Sequence, residues 1–256
     1  MTRVVVISGG GTGIGLASAR YFAQRNAQVV IVGRRGEVLD DAARTLGREF
    51  PGSPKTLALA GDLAAPDQVE VVRAELSERF AAIDVVVNAA GGHALRQNPA
   101  ATYADGLAGI ARRWTDNFRN NTLSAVLLTE ALIPQLRAPG GRIIVISSIA
   151  AYRGSGVGCY GGAKAALHPY CFDLAKTLGP KGITVNSIAP GYVAETEFFG
   201  PAMTGEQHKA KIAETMNYRA GAPVDIANTI GWLASPDAAH VTAQIIQVNG
   251  GAERGR

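Results

Sequence analysis

Seven runs of apolar, largely β-branched residues recur along the chain, and this feature constrains its fold more than any other. Apolar residues follow one another within each run instead of alternating with polar ones, which is typical of strands buried on both faces of a sheet. The runs cover residues 3–8, 27–33, 55–62, 83–91, 141–148, 183–191 and 243–251. The sequence therefore predicts a sheet of seven buried strands.

Segments of helical period separate these runs. Apolar residues recur there every three or four positions, as expected for helices that pack one face on a sheet. Examples are residues 14–25, 68–80, 121–137 and 165–178. Strands and helices that alternate in this way predict an α/β protein with a doubly wound, seven-stranded parallel sheet of the Rossmann type, flanked by helices.

The length of 256 residues and the absence of a linker-like segment favour a single domain over residues 1–256. The first apolar run begins directly after Met1, Thr2 and Arg3, without a targeting leader. No apolar run approaches the roughly 20 residues that span a membrane. We therefore expect a cytoplasmic protein with no membrane partner.

A formal net charge of +4 is spread along the chain and is not gathered into basic runs. Aromatic residues are not interleaved with the basic ones as they are on a single-strand binding surface, so no nucleic-acid partner is expected. A modest positive field suits a small anionic molecule better.

The histidines and cysteines show no spacing typical of metal ligands, so no metal site is expected. The histidines are His93, His168, His208 and His240. His93 alone lies near the expected ligand site, and we interpret it as a solvated loop residue. Cys159 is expected to be a small buried side chain, and both it and Cys171 to be free thiols.

Two long intervals, residues 92–113 and 192–222, do not fit as plain connections between strand and helix. Each follows the carboxyl end of a predicted strand, and ligands bind at this edge of an open α/β sheet. We therefore interpret both intervals as loops that form the walls of a substrate pocket.

A glycine-rich segment, SGGGTGIG at residues 8–15, follows the first strand and precedes the first helix. Its Gly9, Gly13 and Gly15 have the spacing G-x-x-x-G-x-G. Glycine at these places lets the backbone turn sharply and approach a pyrophosphate, which the helix N-terminus then faces. The strand–turn–helix context favours a dinucleotide-binding loop over the alternative, a plain glycine-rich turn.

The second strand ends in VGRRGE, where nucleotide-binding folds place the residue that contacts the ribose 2′ position. Arg34 and Arg35 stand there without a carboxylate. A guanidinium pairs with a 2′-phosphate, whereas a carboxylate would repel it. NADP(H) is therefore favoured over NAD(H), and the alternative is that both arginines are solvated surface charges.

Five polar residues are candidates for catalysis: a tyrosine, a lysine, two serines and an asparagine. Tyr160 and Lys164 lie four residues apart in YGGAK, so a helix would place both side chains on one face. A free phenol has a pKa near about 10, but a neighbouring ammonium and an oxidised nicotinamide favour the phenolate. A serine of the Ser147–Ser148 pair could hold a substrate oxygen, and Asn121 opens a helix. Each residue alone also fits an ordinary structural role.

Together these motifs resemble the classical short-chain dehydrogenase/reductase family, over essentially the whole chain. They follow one another in the family's order: SGGGTGIG at 8–15, GD at 61–62, NAAG at 88–91, Asn121, ISS at 146–148, YGGAK at 160–164 and PG at 190–191. Ser8 stands where the family usually has threonine. The likeness is to the 3-oxoacyl-acyl-carrier-protein reductases of that family.

The resemblance implies a role for each matching residue. Tyr160 would be the acid/base, and Lys164 would lower its pKa and bind the nicotinamide ribose. Ser148 would polarise the carbonyl, and Asn121 would support a proton-relay water. The implied cofactor contacts are Gly9, Gly11, Thr12, Gly13, Ile14, Gly15, Arg34, Arg35, Asp62, Leu63, Asn88, Ala89, Ala90, Gly91, Tyr160, Lys164, Pro190, Gly191 and Val193.

The chain departs from the family's pattern in two places. The second serine of ISS usually lies one residue farther from the tyrosine, so Ser148 is our choice of catalytic serine and Ser147 is the alternative. The segment 92–113 is longer than the common family version, and we expect it to reshape the substrate entrance.

The resemblance implies an NADP(H)-dependent oxidoreductase that interconverts a ketone and a secondary alcohol, with a 3-oxoacyl thioester as the family's default substrate. It also implies a homotetramer, in which helices 121–137 and 165–178 pair across one interface and the last strands approach across another. The alternative from another class is a non-catalytic protein that senses NADP(H) on the same fold. The presence of Tyr160, Lys164 and Ser148 disfavours that alternative.

Overall fold

The computed structural model describes residues 2–94, 106–156, 158–199 and 203–254. Its centre is a seven-stranded sheet in the order β3-β2-β1-β4-β5-β6-β7, and each neighbouring pair is parallel. The strands are β1 Val4–Ser8, β2 Gln28–Gly33, β3 Leu57–Ala60, β4 Val85–Asn88, β5 Arg142–Ile146, β6 Thr184–Pro190 and β7 Ile245–Val248. The predicted fold class is confirmed; that residues 1–256 form a single domain stays a prediction.

Helices cover both faces of the sheet. They are α1 Gly13–Ala23, α2 Gly36–Glu49, α3 Pro66–Arg79, α4 Gly106–Phe118, α5 Ser124–Leu132, α6 Ala150–Arg153, α7 Cys159–Ala165, α8 Leu167–Leu178, α9 Gly205–Ala213 and α10 Pro223–Leu233. Side chains of α1, α2 and α10 pack on one face, and those of α3, α5 and α8 on the other. Within the described ranges, no helix has the length and apolar character needed to cross a membrane.

Burial on both faces is confirmed for the inner strands. Successive side chains of a strand point to opposite faces, so β1 places Val4 and Val6 in one hydrophobic cluster and Val5 and Ile7 in the other. The same prediction is wrong for β3 and β7, whose side chains are partly buried or, at Ala60, exposed. These are the edge strands, and each has a neighbouring strand on one side only.

Two predicted helices are interrupted. In the segment 121–137, a π-helical turn at Arg119–Leu123 precedes α5, and a 3₁₀ turn at Ile133–Gln135 follows it. Pro134 lies in that last turn and lacks the backbone donor that would continue the α-helix. The segment 165–178 is divided at Ala166, between α7 and α8.

The interval 92–113 is not only a loop, because α4 begins inside it at Gly106. Apolar side chains recur on this helix at helical spacing, and they are largely exposed. They are Leu107, Ile110, Trp114 and Phe118. Residues 95–105 of the interval lie outside the described residues.

The interval 192–222 likewise contains a helix, α9. Thr204 and Gln207 form a capping box at its start, in which each side chain binds the backbone N–H of the other residue. The pattern T-x-x-Q is a helix-start signal that the sequence interpretation overlooked. Residues 200–202 lie outside the described part of the chain.

Candidate active site

A cleft of about 1290 Å³ opens at the carboxyl ends of the parallel strands. It includes residues that directly follow β1, β2, β4, β5 and β6. The strand order reverses between β1 and β4, and open α/β sheets bind ligands at such a reversal. The volume exceeds the roughly 300–1,000 Å³ typical of small-molecule pockets. The cleft therefore has room for a dinucleotide and a second molecule.

Most of the predicted site residues line this cleft. They are Gly9, Gly11, Thr12, Gly13, Ile14, Gly15, Arg34, Arg35, Asp62, Leu63, Ala89, Ala90, Gly91, Ser148, Tyr160, Lys164, Pro190, Gly191 and Val193. The two predicted residues absent from its wall are Asn88 and Asn121, and both are buried beneath it.

Gly9 and Gly15 of the glycine loop leave no space for a side chain. Gly9 has a φ of +68°, and a Cβ there would lie 2.9 Å from the Ala90 backbone, while a Cβ on Gly15 would collide with the Gly9 carbonyl. The Ser8 hydroxyl accepts a hydrogen bond of 3.0 Å from the Ala90 N–H and so joins the ends of β1 and β4. The first turn of α1 carries no acidic residue, so its N-terminal partial positive charge is available to an anion. These features fit a bound pyrophosphate.

Arg34 and Arg35 differ in their contacts, although both are exposed and line the cleft. The Arg34 guanidinium makes no hydrogen bond or ion pair with any described residue. Arg35 forms an ion pair of 2.7 Å with Glu197, from the segment that follows β6. Arg34 is therefore the arginine that is free to receive a ligand.

Asn88 holds the floor of the cleft from below. Its Nδ2 donates a hydrogen bond of 2.7 Å to the Thr129 hydroxyl on α5, and the side chain does not reach the cleft wall. The neighbouring Ala89, Ala90 and Gly91 line the cleft, and a direct contact between Asn88 and the cofactor stays a prediction.

Asn121 clamps the backbone that follows β4. The π-helical turn directs its amide inward, where Nδ2 donates to the carbonyls of Gly92 (2.8 Å) and Asn117 (2.9 Å). Its Oδ1 accepts from the Gly92 N–H at 2.9 Å. A Cβ on Gly91 would lie 2.7 Å from this Oδ1 and 2.9 Å from the Lys164 Nζ. Asn121 and Lys164 therefore meet at Gly91, and a water relay through Asn121 stays a prediction.

The two glycines of YGGAK permit the close packing that brings Tyr160 and Lys164 to the cleft. A Cβ on Gly161 would lie 2.5 Å from the Ala150 carbonyl oxygen, and one on Gly162 would lie 2.8 Å from the Trp114 ring. Helix α7 can therefore lie directly against α6 and α4. Tyr160 and Lys164, one turn apart on α7, are both buried and both line the cleft, as predicted.

Lys164 is only 3% exposed. Its Nζ donates a hydrogen bond of 2.8 Å to the Ile146 carbonyl at the end of β5. Burial lowers its pKa from the usual value to about 7, because a desolvated ammonium is unfavourable. The amine can therefore gain or lose a proton near neutral pH.

We expect the burial of Lys164 to appear as a pH dependence of stability in the protein without ligand. Below about pH 7 Lys164 is charged in the folded state, and the burial of this charge lowers the free energy of unfolding by its full amount. Between about pH 7 and pH 10.4 the folded state releases this proton while the unfolded chain keeps it, so the free energy of unfolding rises with pH. Urea titrations should show this rise in the wild type and lose it in Lys164→Met.

Lys176→Met is the matched control for this measurement, because Lys176 lies exposed on α8. It should follow the wild-type pH dependence. If Lys164→Met kept the wild-type slope between about pH 7 and pH 9, Lys164 would not be the titrating group.

The two candidate serines point to different partners. The Ser147 Oγ lies 2.7 Å from His168 Nε2 and 3.3 Å from the Lys164 carbonyl oxygen, and the residue is 2% exposed. The Ser148 Oγ accepts from the Ala150 N–H at 3.1 Å, which leaves its own O–H free to donate to a ligand. This geometry favours Ser148 over Ser147.

His93 is not the solvated residue that we predicted. It is 5% exposed, and its ring stacks on that of Tyr160 with centroids 5.6 Å apart and planes 26° apart. The residue lies at the cleft wall because it follows the NAAG segment at the carboxyl end of β4. The sequence predicted that His93 lies near the ligand site, but it did not predict its burial.

The segment that follows β6 supplies residues that sequence interpretation did not single out. Phe198 also packs on Tyr160, at a centroid distance of 5.2 Å. Phe199 and Tyr192 continue this aromatic wall. The interval 192–222 was predicted as a wall of the substrate pocket, but no motif beyond Val193 identifies which of its residues face the cleft.

Known proteins have this fold and are similar to this chain in sequence over nearly their full length. The family model described as enoyl-(acyl carrier protein) reductase matches residues 9–253. A 3-oxoacyl-acyl-carrier-protein reductase from Vibrio cholerae is 30% identical over 252 residues, 97% of this chain and 96% of that protein. Serine 3-dehydrogenase from Agrobacterium fabrum is 35% identical over 239 residues, 92% of this chain and 89% of that protein.

Solved structures agree. A short-chain dehydrogenase/reductase from Brucella melitensis, named glucose/ribitol dehydrogenase, has a TM-score of 0.83 at 30% identity. The match covers 99% of this chain and 97% of that protein. The NADPH-dependent reductase YwfH shares the fold, with a TM-score of 0.85 at 21% identity and full coverage of both chains.

The chain therefore belongs to the short-chain dehydrogenase/reductase family. It is an NAD(P)-dependent oxidoreductase that acts on the CH–OH or C=O group of a small molecule.

Proposed function

We propose that this enzyme interconverts a ketone and a secondary alcohol with NADP(H), with Tyr160 as the acid/base and reduction as the principal direction. The observation that carries the proposal is that Tyr160, Lys164 and Ser148 line the same cleft as the glycine loop and Arg34. A phosphate-binding loop and a phenol–amine pair thus face one shared space.

Each of these side chains has a separate role in the proposed reduction. The Tyr160 hydroxyl donates its proton to the carbonyl oxygen, and the charged form of Lys164 stabilises the phenolate that remains. The Ser148 O–H donates a hydrogen bond to the same oxygen and orients it. Asn121 fixes the backbone at Gly92 and so the shape of the cleft beside Lys164. The bound nicotinamide supplies the hydride.

Arg34 supports the choice of NADP(H). Its guanidinium lines the cleft after β2 and has no partner among the described residues. A planar guanidinium with several N–H donors pairs well with a phosphate at the ribose 2′ position. Arg35 stands beside it but is engaged by Glu197.

The names of two relatives support a substrate class for the proposed reaction. One is named as a reductase of a 3-oxoacyl group and the other as a 3-dehydrogenase of serine. Both names place the reacting oxygen on the third carbon of a carboxylic acid or its derivative. We therefore infer a 3-oxo or 3-hydroxy acid derivative as the substrate. The aromatic wall of His93, Phe198 and Phe199 supports an apolar body next to the reacting carbon.

A substrate panel tests this function. The enzyme with NADPH is offered 3-oxoacyl thioesters, 3-oxo acids and simple ketones. With NADP⁺ it is offered 3-hydroxy acids that carry a secondary alcohol and, separately, serine, whose primary alcohol would give an aldehyde. The nicotinamide absorbance is followed. We expect turnover with members that carry oxygen at carbon 3 and slower turnover with ketones that lack the carboxyl carbon. Tight NADPH binding without turnover of any member would instead favour the sensing protein.

A homotetramer is proposed because the resemblance implies one, and exposed apolar side chains support association between subunits. Four of them, described above, form a stripe along α4, and Phe172 is 43% exposed on α8. On α10, beside the edge strand β7, Trp232 is 42% exposed. Apolar surface of this kind marks interfaces between subunits.

Light scattering at micromolar concentration should therefore give a mass four times that of the 26.6 kDa chain. Replacing Trp114 with a charged residue should lower this mass, because the substitution places a charge in the apolar stripe. A monomer in the wild-type sample would contradict the assembly.

A further inference from the structure

Three consecutive residues of the segment after β6 contact three different parts of the cleft. Thr196 lies over the glycine loop, since a Cβ on Gly13 would be 3.4 Å from its Cγ2. Glu197 pairs with Arg35 after β2. Phe198 packs on the Tyr160 ring. The tripeptide therefore spans the cleft from the adenosine end to the phenol.

The Arg35–Glu197 pair is the only one of these contacts that carries charge. Two nitrogen–oxygen distances join the side chains, 2.7 Å and 3.4 Å, and the residues are 162 positions apart in the chain. The side chains are 58% and 60% exposed. Exposed ion pairs of this kind are weak and exchange readily for a stronger partner.

A 2′-phosphate is such a stronger partner. It carries a charge of about −1.5 to −2 and three acceptor oxygens, whereas a carboxylate carries one charge and two oxygens. Once a phosphate lies beside Arg34 and Arg35, it competes with Glu197 for the second guanidinium. It also repels the carboxylate, because both are negative.

We propose that Glu197 is a positioning residue that holds the segment Thr196–Phe198 against the cleft through Arg35 and is released when a 2′-phosphate takes that guanidinium. Loss of the pair removes one of the contacts that hold the segment, so its neighbour Phe198 leaves the Tyr160 ring more readily and the substrate gains access to the phenol. This rests on the proposed use of NADP(H). In this proposal, binding of the 2′-phosphate, which is remote from the reacting atoms, makes the substrate site accessible.

Binding of nucleotide fragments tests the competition without any turnover. Calorimetry compares 2′,5′-ADP, which carries the 2′-phosphate, with 5′-AMP, which lacks it. Glu197→Gln should bind 2′,5′-ADP about 1.5- to 5-fold more tightly than the wild type, the range that an exposed ion pair allows. Its affinity for 5′-AMP should rise by no more than the general electrostatic gain of removing one negative charge from the cleft wall.

Glu195→Gln is the matched control. Glu195 lies two residues away, also lines the cleft and makes no ion pair within the described part of the chain. Its substitution removes the same charge, so it measures the general electrostatic gain alone. The double variant Arg35→Ala/Glu197→Gln should bind 2′,5′-ADP no more tightly than Arg35→Ala. An equal gain in both glutamate variants, or a gain that persists without Arg35, would overturn the proposal.

Steady-state kinetics test the effect on Phe198 and Tyr160. NADH lacks the 2′-phosphate and leaves the Arg35–Glu197 pair intact, so Glu197→Gln should lower the KM for the carbonyl substrate with NADH and leave it unchanged with NADPH. Equal changes with both cofactors would contradict release by the phosphate.

The two proposals fail in distinguishable ways. If the wild type binds 2′,5′-ADP no better than 5′-AMP, the NADP(H) preference is wrong. If it prefers 2′,5′-ADP and Glu197→Gln alters nothing, only the role of Glu197 is wrong.

Discussion

Tyr160→Phe should lower kcat for carbonyl reduction by about 10²–10⁴-fold, the range that general acid–base groups contribute. The substitution removes the proton carrier but keeps the ring. The contacts with His93 and Phe198 are made by that ring, so the fold and the cleft should persist. The dissociation constant for NADPH should therefore remain close to that of the wild type.

Tyr170→Phe is the control for this experiment. Tyr170 lies on α8, where its hydroxyl binds the Glu130 carboxylate at 3.0 Å, and it does not line the cleft. Its loss should leave kcat within a factor of about two, because it touches no reacting group. Near-normal turnover in Tyr160→Phe would exclude Tyr160 as the acid/base.

Arg34→Ala should erase most of the preference for NADPH over NADH. A hydrogen bond between charged groups contributes about 1.5–3 kcal/mol, or roughly 10- to 150-fold in affinity. The wild type should therefore favour NADPH by at least about tenfold in kcat/KM, and the variant should lose this margin on the NADPH side alone. The guanidinium of Arg34, which has no partner within the described part of the chain, carries the effect, and Arg34→Ala/Arg35→Ala should remove the remainder.

Arg44→Ala controls for the change in net charge. Arg44 lies on α2, is 64% exposed and pairs with Asp41 away from the cleft. It should leave kcat/KM for both cofactors unchanged. If the wild type uses NADH as well as NADPH, the two arginines after β2 are surface charges and do not select the cofactor.

The inner strands and the phosphate loop could be predicted because their causes are local. A strand buried on both faces needs a continuous apolar run, as at Val4–Ile7. A backbone in contact with another backbone needs glycine, as at Gly9. The same holds for YGGAK, where helical spacing alone places Tyr160 and Lys164 on one side.

The contacts that distinguish this site arise from distant parts of the chain and could not be predicted in that way. Arg35 and Glu197 are 162 residues apart; the sequence marked Arg35 as a cofactor contact but gave no sign that Glu197 pairs with it. His93 gave no sign of burial, because its partner Tyr160 comes from another element. Asn121 was predicted to open a helix, whereas the π-helical turn that aims it at Gly92 has no sequence signal that we recognise.

The transfer of deuterium tests the central claim most directly. The enzyme is given NADPH deuterated at nicotinamide C4 together with the best ketone of the substrate panel, and the alcohol formed is analysed by mass spectrometry. With the label on the side of the ring that faces the substrate, we predict one deuterium at the carbinol carbon. We also predict that Tyr160→Phe forms the same labelled alcohol, only far more slowly. An alcohol that carries no deuterium with the label on either side of the ring would contradict reduction by NADPH in this cleft.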